Sequence, residues 1–89
     1  MAYVYLLESE DGKHLYVGST MDVDLRLQEH NQGITKSTRN NRPWKSLGAW
    51  EFNTLKEARQ IEYKIKRMKH KFSKEYIDYF VDNYRQSKG

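Results

Sequence analysis

Cysteine is absent from this 89-residue chain, which excludes disulfide staples and thiolate metal ligands and suits a reducing compartment. No apolar run approaches the ~18 residues of a membrane span. The N-terminus also lacks the basic-then-apolar order of a secretory signal, so a soluble cytoplasmic protein with no membrane partner is expected. Repeats, linkers and low-complexity segments are missing too. At this length there is no room for a second hydrophobic core, so one domain spanning 1–89 with a marginal core is expected, with a monomer as the favoured state.

Basic charge is scarce at both ends and concentrated in the middle. Residues 1–35 hold 2 basic and 6 acidic side chains and residues 75–89 hold 2 and 3, whereas residues 36–74 hold 12 basic against 3 acidic. That local excess resembles a phosphate-binding footprint, because Lys and Arg that displace condensed counterions supply most sequence-independent affinity for nucleic acid. A solvated basic face is the plainer alternative.

The stretch "YVYLLESEDGKHLYVGST" sets two β-rich runs around Asp11-Gly12, a strong hairpin signal. A two-residue turn centred there pairs residues whose numbers sum to 23, so Tyr5 faces Gly18 and Leu7 faces Tyr16. Alternation then puts both tyrosines on one surface, with Gly18 leaving space beside Tyr5. After Thr20 or Asp22 as N-cap, "VDLRLQEHNQG" reads as a helix closed by Gly33, with Arg26 and His30 four apart on one ridge. The segment "ITKSTRNNRP" reads as a basic loop holding the only proline, and "WKSLGAWEF" as a third strand.

Thr54 and Glu57 form a capping box that opens a second helix with Leu55, Ala58, Ile61, Ile65 and Met68 as its buried stripe. Glu62 falls within that stripe, where a carboxylate costs desolvation unless a cation or metal compensates it. Ser73 caps a last helix whose inward face is Tyr76, Ile77, Phe80, Val81 and Tyr84. The order is thus β-β-α-β-α-α, an α+β chain.

Two tyrosines on one strand face, an Arg and a His on one ridge and a semi-buried Glu suit phosphodiester chemistry. The motifs "YVYLL" and "YVGST", with ten residues between Tyr5 and Tyr16, are followed by "DVDLRLQEHNQG" and "KSTRNNRPWK". This series resembles the GIY-YIG endonuclease family, above all its short stand-alone bacterial members, which share a domain with the N-terminal cutting domain of the excision-repair nuclease. The resemblance implies a three-stranded antiparallel sheet flanked by helices. It makes Tyr5 and Tyr16 the tyrosines of the two motifs, Arg26 the catalytic arginine, His30 the residue one turn later and Glu62 the metal-holding carboxylate. In the first motif Ala2 or Tyr3 stands where the glycine would fall, Val17 replaces isoleucine, and Ser19 occupies a position where some relatives carry lysine.

Each role has a plainer counterpart. Glu62 can anchor one Mg²⁺ or Mn²⁺, hard ions that keep several waters, or it can simply pair with Lys66 four residues on. Arg26 can fork onto phosphate oxygens or pair with Asp22 or Glu29. His30 can take a proton from Tyr16 or water, or merely complement the helix dipole. The tyrosines can be reactive groups, with Tyr5 orienting the attacking water or phosphate, or simple cross-strand packing. Lys36, Thr38, Arg39, Arg42 and Lys45 are expected to grip the nucleic-acid backbone. Lys64, Lys66, Arg67, Lys69 and Lys71 extend that track or form a wet helix face, and Trp44 is expected to anchor the loop in the core. The leading expectation is a metal-dependent endonuclease hydrolysing DNA, of the kind used in repair or recombination and with little sequence specificity. A catalytically silent nucleic-acid-binding module and a protein-interaction domain are the alternatives.

Overall fold

The computed structural model describes residues 1–67 and 73–88. Strand β1 (Ala2–Ser9) and strand β2 (Leu15–Thr20) are followed by helix α1 (Val23–Gln32) and a single 3-10 turn at Arg39–Asn41. Strand β3 (Trp44–Phe52), helix α2 (Leu55–Lys66) and helix α3 (Lys74–Lys88) follow among the described residues. The sheet is antiparallel in the order β2-β1-β3, which gives the expected α+β architecture.

The hairpin keeps the expected register: Tyr5 pairs with Gly18 and Leu7 with Tyr16. Its connection is wider than a two-residue turn. The Ser9 N–H donates to the His14 carbonyl at 3.0 Å and the Gly12 N–H to the Ser9 carbonyl at 2.9 Å, with Gly12 at φ +73°. Lengthening the loop by one residue on each side leaves the sum of paired numbers, and hence the faces, unchanged.

Because β1 is the central strand, both of its faces are covered. Ala2, Val4 and Leu6 join Val17, Trp50 and Phe52 against Ala58, Ile61 and Ile65 of α2 and Ile77 and Val81 of α3. On the other face Tyr5, Leu7 and Trp44 pack with Tyr16 and with Val23 and Leu27 of α1. Met68, expected to extend the α2 stripe, lies outside the described residues.

Local chemistry sets the helix ends. The Asp22 carboxylate accepts the Leu25 N–H at 3.0 Å and Gly33 closes α1 at φ +83°. Thr54 accepts the Glu57 N–H at 3.1 Å, while the Glu57 carboxylate reaches back to the Asn53 N–H, one residue before the expected box partner. Ser73 accepts the Tyr76 N–H, and the Trp50 indole donates to Asp78 at 2.7 Å, tying α3 to β3. One residue of β3, Leu47, is extra between the pairs Leu6–Gly48 and Leu7–Ser46, a bulge that the sequence pattern does not announce.

Candidate active site

Tyr5 stands on the α1 face of the sheet, fully buried, with its hydroxyl 2.9 Å from His30 Nε2. The other ring nitrogen, Nδ1, lies 2.8 Å from Thr38 Oγ1, and that hydroxyl is 3.3 Å from the Thr35 carbonyl. His30 and Thr38 are themselves fully buried. Strand β1, helix α1 and the 34–43 loop therefore meet in one polar chain inside an otherwise apolar cluster.

Tyr16, the neighbour of Tyr5 across the hairpin, is partly exposed; its ring centroid lies 6.2 Å from that of Tyr5 and 4.8 Å from His30, edge on. The Lys66 ammonium sits 5.2 Å from the Tyr16 ring centroid and 2.9 Å from Glu62 Oε2. The second Glu62 oxygen accepts from Ser19 Oγ at 2.6 Å. Parity explains this arrangement. Ser19 shares a face with Val17, toward α2, whereas Tyr16 and Gly18 point toward α1, so the acid and the phenols lie on opposite sides of the edge strand β2. The Lys66 side chain bridges the two sides around that edge.

Arg26 Nη1 pairs with Glu29 Oε1 at 3.0 Å, the plainer arrangement, yet its guanidinium also lies close enough to Tyr5 for its charge to favour the ionised phenol. Burial outweighs that pull, and the charges of Tyr16 and Glu62 add to burial, pushing the Tyr5 phenol up to about 12. Desolvation, helped by the Arg26 charge and opposed by Glu29, holds His30 below the usual imidazole value. Both partners of the Tyr5–His30 hydrogen bond are thus neutral near neutral pH.

The structure corrects two expectations. His30 cannot take a proton from Tyr16 or from bulk water, because it is buried and its nitrogens face Tyr5 and Thr38. Thr38 cannot grip a nucleic-acid backbone, because its side chain is buried against His30 and its carbonyl accepts the Trp44 indole N–H at 2.9 Å. Trp44 anchors the loop in the core as expected, with its backbone clamped at both ends by the Asn31 side chain. Lys36, Arg39 and Arg42 are exposed; Arg39 Nε donates to the Gly33 carbonyl and Arg42 Nε to the Arg39 carbonyl, which curls both guanidinium groups over the end of α1. Lys45 lies on β3, not in the loop, 3.4 Å from Glu8. Lys69 and Lys71 lie outside the described residues. The Ser19–Glu62 bond and the inward role of Thr38 are not foreseen from the sequence, although hairpin parity alone puts Ser19 on the face of Val17, toward the second helix.

Residues 1–76 match the family model described as the GIY-YIG catalytic domain. The chain belongs to the GIY-YIG family. It is 40% identical over 67 residues to a UPF0213 protein of Halalkalibacterium halodurans, covering 74% of this chain and 70% of that one. A UPF0213 protein of Streptococcus agalactiae is 42% identical over 77 residues, covering 85% and 86%. The solution NMR structure of the UPF0213 protein from Bacillus halodurans aligns over 92% of this chain and 84% of that one at 36% identity, with a TM-score of 0.47. The chain thus falls in a nuclease family whose members generally bind nucleic acid and use divalent metals, and the relatives named above are bacterial UPF0213 proteins. None of the helices among the described residues is long and apolar enough to cross a membrane.

For a GIY-YIG protein the donor set matters. Among the described residues no three His, Cys, Asp or Glu side chains cluster closely enough to cage a metal, so a closed site of the structural zinc type does not fit. One carboxylate at a partly open edge does fit a hard ion that retains most of its water. Glu62, with Lys66 as its ion-pair partner, would be that carboxylate.

The same burial makes stability depend on pH. His30 binds its proton less tightly folded than unfolded, so between its depressed value and about 6.5 the unfolded chain carries more protons and stability rises with pH. Tyr5 keeps its proton to about 12 when folded, so stability falls as pH rises from 10.0, its ordinary value, toward that point. Guanidinium unfolding midpoints are expected to plateau between these limits, with a shallower acid-side decline in His30→Gln. An acid limb of equal slope in that variant would contradict the assignment.

Proposed function

We propose that the chain, acting as one domain, is a divalent-metal-dependent endonuclease that hydrolyses DNA phosphodiester bonds with Mg²⁺ or Mn²⁺, its reaction centre being Tyr5, Tyr16, Arg26, His30 and Glu62. The observation that carries this reading is the Lys66 side chain, which reaches around the β2 edge from the Glu62 carboxylate to the Tyr16 ring, on whose side Tyr5, His30 and Arg26 lie. Hydrolysis requires an oriented water, donors on the non-bridging oxygens and charge compensation at the leaving oxygen. The partly exposed Arg26 forks onto phosphate oxygens, exchanging one Glu29 contact for two bonds to the non-bridging oxygens of the singly charged phosphodiester. Tyr5 orients the attacking water, with His30 as the partner that fixes its hydroxyl; Tyr16, more open, lies against the scissile phosphate. Glu62 holds the ion, which when bound supplies the Lewis-acid charge that the protein donors lack.

Lys36, Arg39, Arg42, Lys45 and Lys66 are the backbone contacts in this reading, and Thr38 is not among them. Branched or nicked DNA of repair and recombination is the proposed substrate class, and the cytoplasm the setting that follows for a bacterial enzyme. Pure protein incubated with nicked, branched and single-stranded DNA is expected to give product only when Mg²⁺ or Mn²⁺ is present. Tight binding without product from any substrate overturns the enzyme in favour of the silent binding module, which the resident Lys66–Glu62 pair favours. With several phosphate contacts, log affinity is expected to fall steeply with log salt, by roughly 0.9 per contact on duplex DNA. A nearly flat slope would point instead to an acidic protein partner.

A further inference from the structure

The buried chain from Tyr5 to Thr35 constrains its own protons. A backbone carbonyl only accepts, and the Thr35 carbonyl, which also takes the Thr38 N–H, lies 3.3 Å from the Thr38 hydroxyl; with the hydroxyl proton directed there, Thr38 Oγ1 accepts from His30 Nδ1–H at 2.8 Å. The Tyr5 end agrees with this direction. The charged group beside the Tyr5 hydroxyl is Arg26, which can only donate, so the phenol proton has His30 Nε2 as its acceptor. Both ends therefore favour a neutral imidazole with its proton on Nδ1.

We infer that Thr38 is a positioning residue: by accepting from Nδ1 it locks His30 in the Nδ1–H tautomer, which turns the Tyr5 O–H inward and leaves the phenol lone pairs facing Arg26. In the opposite tautomer Nε2–H would donate to Tyr5, and the phenol proton would turn outward. The phenol would then present a donor toward Arg26 and the reacting groups beside it, where an acceptor is needed. The inference rests on the nuclease reading for its consequence but not for its geometry. It also gives the loop a second duty. Thr38 lies between Lys36 and Arg39 in sequence and is held by the Trp44 indole and the Asn41 N–H, so the segment offered to DNA phosphates is the one that sets the phenol.

The test is long-range ¹⁵N–¹H NMR of ¹⁵N-histidine protein near pH 7.5, with His30 assigned by its absence in His30→Gln. Wild type and Thr38→Ser are expected to show the Nδ1–H pattern, and Thr38→Val the Nε2–H pattern or a mixture. In parallel, single-turnover cleavage is expected to fall on the order of 10- to 100-fold in Thr38→Val, to recover in Thr38→Ser, and to leave DNA affinity within about 2-fold, the scale usual for partners that orient a functional histidine. An Nε2–H signature for His30 in wild type overturns the inference, and so does Nδ1–H persisting in a folded Thr38→Val. Should the valine variant fail to fold, the wild-type tautomer together with the serine variant decides. Absence of cleavage from every substrate would sink the nuclease reading while leaving the tautomer result standing.

Discussion

Glu62→Gln is expected to reduce metal-dependent cleavage by at least about 10²-fold while leaving the fold and metal-free DNA binding intact. A Lewis-acid ion at a phosphoryl oxygen is worth several kcal/mol, and losing about 3 kcal/mol of transition-state stabilisation already costs more than 10²-fold in rate. The fold tolerates the change because the amide oxygen still accepts from Ser19, and the lost Lys66 pair, with side chains 43% and 20% exposed, is worth about 0–1 kcal/mol. Thermal midpoint, metal-free affinity and cleavage against Mn²⁺ concentration separate the possibilities. Undiminished cleavage in Glu62→Gln would mean that the carboxylate is only the ion-pair partner of Lys66. A large stability loss would mean that Ser19 and Glu62 hold α2 to the sheet edge more strongly than screened charges allow.

What the sequence made legible is what depends on period and parity. The facing of Tyr5 and Gly18 needs only the sum rule of a hairpin, which survived a loop longer than expected because both sides lengthened together. The ends of α1, α2 and α3 follow from Asp22, Gly33, Thr54 and Ser73, whose short polar or absent side chains act within three residues of themselves. The identity of His30's partner was not legible in this way. Helical spacing puts His30 on the ridge of Arg26, but which tyrosine it meets depends on how deep α1 packs against the sheet. Thr38 was misread for a related reason. A polar loop with four cations around it looks wet throughout, and only the long-range bond from the Trp44 indole turns this one threonine inward. Ser19 is the case where available parity went unused, since the same alternation that aligned the tyrosines aimed its hydroxyl at the other helix.

Gly18→Ala is expected to damage both the fold and the site, because the space beside Tyr5 exists only while position 18 has no side chain. A Cβ there would lie 2.6 Å from Tyr5 Cζ and closer still to the phenol oxygen. The ring has nowhere to go: Tyr5 is fully buried and tied to His30. Overpacking of this kind costs about 1–3 kcal/mol, which for a chain of this size lowers the thermal midpoint by roughly 4–8 °C per kcal/mol. Cleavage should fall with it, since moving the ring to relieve the contact disturbs its 2.9 Å hydrogen bond to His30. A double-mutant cycle identifies the cause. Removing the hydroxyl relieves the closest contact, so Gly18→Ala combined with Tyr5→Phe is expected to be more stable than the sum of the single changes by about 0.5–3 kcal/mol. Strict additivity would place the damage in the backbone of β2 and not in the phenol. Coupling of that sign would show that the missing side chain at position 18 and the depth of Tyr5 are one structural feature, and that the hairpin spends both tyrosines on a single face in order to hold one of them against a histidine.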